Sequence, residues 1–158
     1  MRVGHRDGKP VFQYPMWDNS RYPFLQYIKH GLKTVEGRVN SVGYKALKKG
    51  YFMSLKSKKE ELLCEVLYKH QYRSFRQMLM YEGLDNMLPY FRSIDEGVRL
   101  YRRFPTARKE KMDGVIAIGV RPISFRRLDE DYWQLCDAEI DRIKEEEAKM
   151  ALDGKEKA

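Results

Sequence analysis

Two cations flank a carboxylate between positions 33 and 38, in the stretch GLKTVEGRV. If this stretch is a strand, Glu36 and Arg38 project from the same face, because side chains two residues apart share a face of a strand. The carboxylate can then pair with the guanidinium group and hold it in a fixed orientation. Lys33 lies just before the strand and can swing over the same face. Together they would present a point charge, a fork of donors and an acceptor, which suit a phosphate and the edge of a nucleobase.

A simpler interpretation of the same stretch is an exposed turn. Glu36 and Arg38 would then form only a surface ion pair, which contributes roughly 0–1 kcal/mol to stability. The motif residues taken alone favour this interpretation. The choice between an exposed pair and a ligand-binding cleft therefore depends on the rest of the chain.

The residues around the motif predict the elements that position it. PFLQYIKHG at 23–31 has a proline in its first turn and a glycine at its end, as expected of a short helix. The segment from Thr34 to Val39 alternates in polarity like a strand. Further strands are predicted in YFMSLKS at 51–57 and in ELLCEVLYKHQY at 61–72.

The second half of the chain predicts helices and one buried strand. Ser74 and Ser93 stand where helix N-caps are expected. GVIAIGVRPI at 114–123 is a nearly continuous apolar run, typical of a buried strand, and a helix from about Asp129 to Met150 follows. This order of elements predicts an α+β fold with a small curved sheet or β-barrel at its centre, flanking helices and a C-terminal helix.

Composition divides the chain into four segments. We predict an irregular N-terminal arm over 1–21, a folded domain over 22–127, an amphipathic C-terminal helix over 128–152 and a disordered tail over 153–158. Prolines punctuate the arm, and its aromatic residues anchor it to the domain.

The charge of the chain is unevenly distributed. Residues 1–127 contain 26 Lys and Arg against 12 Asp and Glu, a net charge of +14, whereas residues 128–158 contain 5 against 11, a net charge of −6. A basic body favours a polyanionic partner. The aromatic residues among the cations suit unpaired bases, which stack on rings. The alternative is a basic protein whose charges are only solvated.

The motif G-x-K-x-x-E-x-R, formed here by Gly31, Lys33, Glu36 and Arg38, resembles the signature of the ASCH family, which is related to the PUA-like RNA-binding domains. The resemblance implies a PUA-like barrel that places the lysine, the glutamate and the arginine in a cleft. With this resemblance, a ligand cleft becomes the favoured interpretation of the motif.

Other landmarks of that family follow the motif in the expected order. A glycine-led strand is predicted at 50–55, and a helix that starts with Ser-Phe and ends with Glu-Gly is predicted at 74–83. The final strand GVIAIGV completes the pattern. The resemblance therefore covers about residues 20–123.

The resemblance also implies an enzymatic alternative. Some ASCH proteins deacylate cytidine modified as in N4-acetylcytidine, using a threonine nucleophile, a lysine and a glutamate, and here Lys33 matches the lysine and Glu82 the glutamate. Glu36 occupies the threonine position, and a carboxylate is a poor nucleophile for acyl transfer. A ribonuclease, with Lys33 stabilising developing charge and Glu36 accepting a 2′-hydroxyl proton, is a further hypothesis. We expect binding rather than catalysis; in a hydrolase, Lys33, Glu36 and Glu82 would be the catalytic residues.

Our leading hypothesis is a nucleic-acid-binding module, with RNA as the expected partner and DNA as the alternative. The candidate contacts are Lys33, Thr34, Glu36 and Arg38 in the cleft, Tyr44, Lys45, Lys48 and Lys49 in a basic turn, Tyr72 and Arg73 in a second cluster, and Arg102, Arg103 and Arg108 in a third. Tyr72 could equally be an ordinary strand residue. A third hypothesis is an accessory subunit of a ribonucleoprotein, whose arm and C-terminal helix contact other proteins.

Several classes of protein are disfavoured by what the sequence lacks. The three histidines stand far apart, so we expect no metal site and no cofactor. Cys64 and Cys136 have no CxxC spacing, which favours reduced thiols in an intracellular compartment. No apolar run approaches the roughly 20 residues that span a membrane, and no secretion signal stands at the N-terminus.

Overall fold

The computed structural model describes residues 2–128 and 142–149. The strands are β1 (Arg2–Arg6), β2 (Lys9–Pro15), β3 (Val35–Val39), β4 (Phe52–Lys56), β5 (Glu60–Tyr72) and β6 (Val115–Arg127). The helices are α1 (Phe24–Lys29), α2 (Phe75–Glu82), α3 (Leu84–Met87), α4 (Ile94–Tyr101), α5 (Glu110–Asp113) and α6 (142–149), with 3₁₀ turns at Val42–Tyr44 and Pro105–Lys109. The fold is α+β, as predicted.

The six strands form one sheet in the order β1-β2-β4-β5-β6-β3. Its centre is the antiparallel pair β5 and β6, each thirteen residues long. β2 pairs with β4 in parallel, and β3 pairs with β6 antiparallel. The residues from Val115 to Val120 are all buried, so the apolar run predicted to be a buried strand is one, although the strand continues to Arg127.

The sheet curves until its two ends approach each other, but strand pairing does not close it into a barrel. β2 and β3 are separated by three strands in the sheet order. Even so, a guanidinium nitrogen of Arg38 on β3 donates a hydrogen bond of 2.8 Å to the Pro15 carbonyl on β2. Tyr14 donates one of 2.7 Å to the carbonyl of Gly43, just after β3. Side chains therefore bridge a gap that a barrel would close with backbone bonds.

Helices α1 and α2 pack on the sheet, α4 packs on α2, and all three supply the core. Leu25, Ile28 and Met78 are completely buried, and Leu79 and Val98 nearly so. Both predicted caps are present: the Ser74 hydroxyl accepts from the N–H of Gln77, and the Ser93 hydroxyl accepts from the N–H of Glu96. The caps fix where α2 and α4 begin, and so which face of each helix is buried.

The prediction of an irregular N-terminal arm is wrong, because β1 and β2 form an antiparallel hairpin. Asp7 and Gly8 turn the chain with φ angles of 51° and 75°, and an Asp-Gly pair suits such a turn. Pro10 and Pro15 do not prevent the strand. Pro10 is the second residue of β2 and Pro15 is its last, so both lie near the ends of the strand, where a missing N–H costs little.

The predicted C-terminal helix over 128–152 is described only in part. Residues 142–149 are helical, whereas the remainder of that segment beyond 128, Cys136 and the predicted tail over 153–158 lie outside the described residues. Cys64 is buried as a free thiol, and burial raises its pKa to about 12. No helix in the described part of the chain is long and apolar enough to cross a membrane.

Gly114 sets the start of β6 and provides a test of the fold. Its φ of 69° and ψ of −167° are open to glycine almost alone, and a Cβ there would lie 2.7 Å from the Tyr72 carbonyl oxygen. We expect Gly114→Ala to lower the free energy of unfolding by about 2 kcal/mol, as measured by urea denaturation. Gly43→Ala is the control, since a Cβ there meets nothing within 4 Å. Equal stability of the two variants would contradict this account.

Candidate functional site

Lys33 is buried at the junction of α1 and β3, with 1% of its surface exposed. Its ammonium group donates to the carbonyl oxygens of Val35, at 2.7 Å, and Met87, and lies 3.7 Å from a carboxylate oxygen of Glu36. Burial lowers the pKa of Lys33, and the negative charge of Glu36 opposes that shift. The ammonium group therefore has two backbone acceptors, and the nearby carboxylate of Glu36 balances its charge.

Glu36 lies between two cations and is itself buried. One carboxylate oxygen faces Lys33 and accepts from the N–H of Gly37 at 2.9 Å. The other is 3.4 Å from the guanidinium group of Arg38. The predicted sideways pairing of the carboxylate and the guanidinium group is thus present, and Lys33 joins it as a second counter-ion.

Arg38 connects this buried network to a cavity. Besides Glu36 and the Pro15 carbonyl, it donates to the hydroxyl of Tyr44 at 3.1 Å. About a fifth of its side chain (21%) is exposed. Arg38 is therefore the most accessible of the three charged motif residues.

A cavity of about 260 Å³ opens beside the motif, and we call it the motif cavity. Its lining includes six aromatic residues: Trp17, Phe24, Tyr44, Phe75, Tyr101 and Phe104. The rings of Trp17 and Phe104 are 4.5 Å apart, and those of Phe75 and Tyr101 stack at 4.9 Å. An aromatic-walled cavity of this size suits a single flat ring system.

Tyr101 contributes a polar group that the described residues leave unsatisfied. It lines the motif cavity, and its buried hydroxyl has no hydrogen-bond partner among the described residues. Burial raises its pKa well above the usual value, so the hydroxyl keeps its proton. An unpaired buried hydroxyl is costly, and a polar group of a ligand could remove that cost.

The family model of the ASCH domain matches residues 20–124 of this chain, and the motif cavity is built around its G-x-K-x-x-E-x-R segment. The chain belongs to the ASCH domain family. The crystal structure of the hypothetical protein PH0355 is 34% identical and has a TM-score of 0.64, over 72% of this chain and 99% of its own. The solution NMR structure of protein PF0455 from Pyrococcus furiosus is 37% identical with a TM-score of 0.59, over 72% of this chain and 98% of its own. No curated protein matches the chain.

Segments outside the family match form part of the cavity wall of this ASCH protein. Pro15, Met16 and Trp17 precede the matched residues, and Ile143 and Glu146 on α6 follow them, yet all five line the motif cavity. The two solved relatives leave more than a quarter of this chain unmatched. The cavity of this ASCH domain is therefore shaped by residues that the family pattern does not include.

The other predicted cleft residue, Thr34, lies elsewhere. It is exposed, its backbone bonds to Asn86 and Val120, and it does not line the motif cavity. Tyr44 does line the cavity. Lys45, Lys48 and Lys49 remain exposed in the turn that follows it.

Lys69 on β5 joins this basic turn, although its sequence position does not suggest so. Its ammonium group donates to the carbonyl of Tyr44 at 3.0 Å. Burial, together with the nearby positive charge of Lys48, lowers the pKa of Lys69. We refer to Lys45, Lys48, Lys49 and Lys69 as the basic turn cluster.

Glu82 does not join Lys33 and Glu36, so the three residues predicted for a hydrolase are not brought together. It lies against β5, where its carboxylate accepts hydrogen bonds from Tyr68 at 2.8 Å, from His70 at 2.9 Å, and from Tyr72 of the second predicted cluster. Glu82 is not among the residues that line the motif cavity. Arg73, next to Tyr72, is exposed.

The third predicted cluster is divided between different surroundings. Arg102 pairs with Glu110 at 3.1 Å. Arg108 is exposed, and Arg103 lines a second cavity whose lining also includes Trp17.

The sequence interpretation missed the aromatic wall of the site. Trp17 stands far from Tyr101 and Phe104 in the chain and meets them only in the fold. The aromatic residues of the N-terminal segment were the available signal, but their interpretation as anchors assigned them no binding role.

The Glu82 cluster predicts a specific dependence of stability on pH. Desolvation alone would raise the pKa of Glu82, but the hydrogen bonds from Tyr72, His70 and Tyr68 outweigh it and hold the pKa below its usual value of 4.5. The ionised carboxylate therefore stabilises the fold above that pH, and the contribution is lost as the pH falls through the lowered pKa.

We expect Glu82→Gln to lower the free energy of unfolding by about 1 kcal/mol near neutral pH, and the difference from wild type to shrink well below pH 4.5. Urea unfolding at both pH values measures this. Asp85→Asn, which removes an exposed carboxylate, is the matched control. A difference that stays constant at acidic pH would argue against the assignment.

Proposed function

We propose that this ASCH domain binds single-stranded RNA, with one nucleobase in the motif cavity and the phosphates of neighbouring nucleotides on exposed cations. The observation that carries this proposal is the aromatic-walled cavity at the family motif. Proteins that read single-stranded RNA stack unpaired bases on aromatic and arginine planes and hydrogen-bond their edges.

The charged network gives the motif cavity a polar floor. A guanidinium group has five N–H donors, so Arg38 can donate to a base edge in addition to its acceptors Glu36, Tyr44 and Pro15. The Tyr101 hydroxyl offers a further polar contact. A flat heterocycle with ring nitrogens and carbonyl groups matches this combination better than a purely apolar ligand does.

Lys33 takes a different role from the one that its charge suggests. Because its ammonium group is buried, donates to the carbonyls of Val35 and Met87 and forms an ion pair with Glu36, we assign it to positioning rather than to phosphate contact. It neutralises Glu36, and Glu36 orients Arg38. The phosphate contacts fall instead to the basic turn cluster.

The enzymatic alternative receives less support from the geometry. A modified-cytidine hydrolase needs its nucleophile, lysine and glutamate together, whereas Glu36 stands at the nucleophile position and Glu82 bonds to Tyr68, His70 and Tyr72. The accessory-subunit hypothesis is less supported as well. β1 and β2 belong to the sheet, and Pro15 of β2 and Ile143 and Glu146 of α6 line the motif cavity, so these segments do not project from the domain.

Trp17 provides the first test, since it lines the motif cavity from outside the motif. We expect Trp17→Leu to weaken the binding of short single-stranded RNAs about tenfold, because stacking of one base on an aromatic ring contributes roughly 1–3 kcal/mol. Fluorescence anisotropy of labelled oligoribonucleotides, each of a single base type, measures the affinity.

Tyr90→Ala is the matched control, because Tyr90 is 75% exposed and does not line the cavity. Thermal unfolding of both variants checks that the fold is intact. If a folded Trp17→Leu protein binds every RNA as tightly as wild type, the motif cavity is not the base site.

The basic turn cluster provides the second test. Replacing Lys45, Lys48 and Lys49 together with glutamine should weaken binding to all RNA sequences alike. The slope of log K against log salt concentration should also become shallower by about 2, since each phosphate contact to a single strand contributes about 0.7.

A triple replacement of Arg92, Arg121 and Arg127 with glutamine removes the same charge from exposed positions elsewhere. It should leave the salt slope near the wild-type value. Equal slopes for the two triple variants would show that the basic turn cluster does not contact phosphates.

A further inference from the structure

A second cavity of about 280 Å³ also has Trp17 in its lining, and we call it the polar cavity. Met16 and Trp17 line both cavities. The two sites are thus neighbours that share one wall. A ligand with two linked parts could therefore occupy both at once.

Cations from separate parts of the fold surround the polar cavity. Arg21 comes from the segment before α1, Lys58 from the turn between β4 and β5, Arg103 from the end of α4, and Lys144 from α6. Cations that converge from separate segments on one concave surface suit an anion, and phosphate is the anion that RNA supplies.

The same cavity also contains a carboxylate with an unsatisfied oxygen. Glu147 on α6 lines the polar cavity, and one of its carboxylate oxygens is buried without a hydrogen-bond partner among the described residues. Burial raises the pKa of Glu147, and the charges of Arg103 and Lys144 oppose that rise. Asp18, the other acid in the lining, differs because it accepts from Gln26 at 3.1 Å.

A carboxylate repels a phosphate that is bound beside it. The presence of Glu147 in this cavity therefore requires an explanation. A carboxylate oxygen is a strong acceptor for a hydroxyl donor, and in RNA the 2′-hydroxyl of the ribose lies close to the phosphate. An acceptor that has no partner among the described residues and lies among several cations therefore matches a ribose and its phosphate better than it matches a phosphate alone.

We propose that the polar cavity holds the ribose and phosphate of the nucleotide whose base occupies the motif cavity, with Glu147 accepting a hydrogen bond from the ribose 2′-hydroxyl. This inference rests on the proposed RNA-binding function and goes further, since it assigns the choice of RNA over DNA to a named residue. The 2′-hydroxyl is the group by which a protein distinguishes the two at a given site.

The residues that build this second part of the site lie mostly outside the family match. Met16, Trp17 and Asp18 precede residues 20–124, and Lys144 and Glu147 follow them. The ribose contact is therefore a feature of this chain's own extensions and does not follow from the motif.

The test compares Glu147→Ala with Glu145→Ala in the full chain. Both variants remove one negative charge from α6, but Glu145 is exposed and lines neither cavity. Each is titrated with short single-stranded RNAs and with DNAs of the same base composition. We expect Glu147→Ala to lower RNA affinity about tenfold and to leave DNA affinity unchanged, and Glu145→Ala to leave the ratio of RNA to DNA affinity at the wild-type value.

Other outcomes would overturn the ribose contact. If Glu147→Ala changes RNA and DNA affinity by the same factor, Glu147 does not read the 2′-hydroxyl. If it strengthens the binding of both, the acidic helix competes with nucleic-acid phosphates instead. A wild-type protein that binds no RNA removes this inference together with the proposed function, whereas RNA binding that Glu147→Ala leaves intact removes this inference alone.

The phosphate part of the polar cavity is tested with Arg103→Gln. This variant should weaken RNA and DNA binding equally and make the salt slope shallower by about 0.7. An unchanged slope would remove Arg103 from the phosphate site.

Discussion

The buried carboxylate of Glu36 is the constraint on which the site depends. A carboxylate removed from water is strongly destabilising unless cations and hydrogen-bond donors surround it. Lys33 and Arg38 supply the charges, and the backbone of Gly37 supplies a donor. Each cation also bonds elsewhere, Lys33 to the Met87 carbonyl and Arg38 to the Pro15 carbonyl. One charged cluster thereby fixes β3 against α3 on one side and β2 on the other.

The same cluster explains how the cavity can be both rigid and polar at its floor. The guanidinium group is held before any ligand arrives, so little ordering is required on binding. With one anion between two cations, the cluster keeps a net positive charge close to the aromatic walls. Under the proposed function, the neutral or partly negative edge of a heterocycle is attracted to this positive charge, whereas a positively charged ligand would be repelled.

Much of the fold could be predicted from local patterns, because each was governed by near neighbours in the chain. The caps at Ser74 and Ser93, the apolar run before Pro122 and the motif strand all belong to this class. The N-terminal hairpin could not be predicted in the same way, because two prolines obscured the turn at Asp7 and Gly8. The burial of Lys33 could not be predicted from local sequence patterns either, since its acceptors include a carbonyl 54 residues later in the chain.

The same distinction between local and long-range contacts applies to the candidate site. The pairing of Glu36 with Arg38 follows from the two-residue period of a strand, and it was predicted. The aromatic walls and the polar cavity depend on segments that meet only in the folded chain, such as Trp17 with Phe104 and Arg103 with Glu147. The placement of Glu82 among Tyr68, His70 and Tyr72 likewise depends on how α2 packs on β5, which residue type alone does not specify.

The N-terminal hairpin has a consequence beyond the cavity. β2 covers the edge of β4, where a strand with four buried residues would otherwise expose unpaired backbone groups, a known template for aggregation. The outermost strand is then β1, which is short and carries Arg2, His5 and Arg6. A charged, short edge strand resists pairing with other chains. The segment that lines the candidate site is therefore also the one that covers this edge of the sheet.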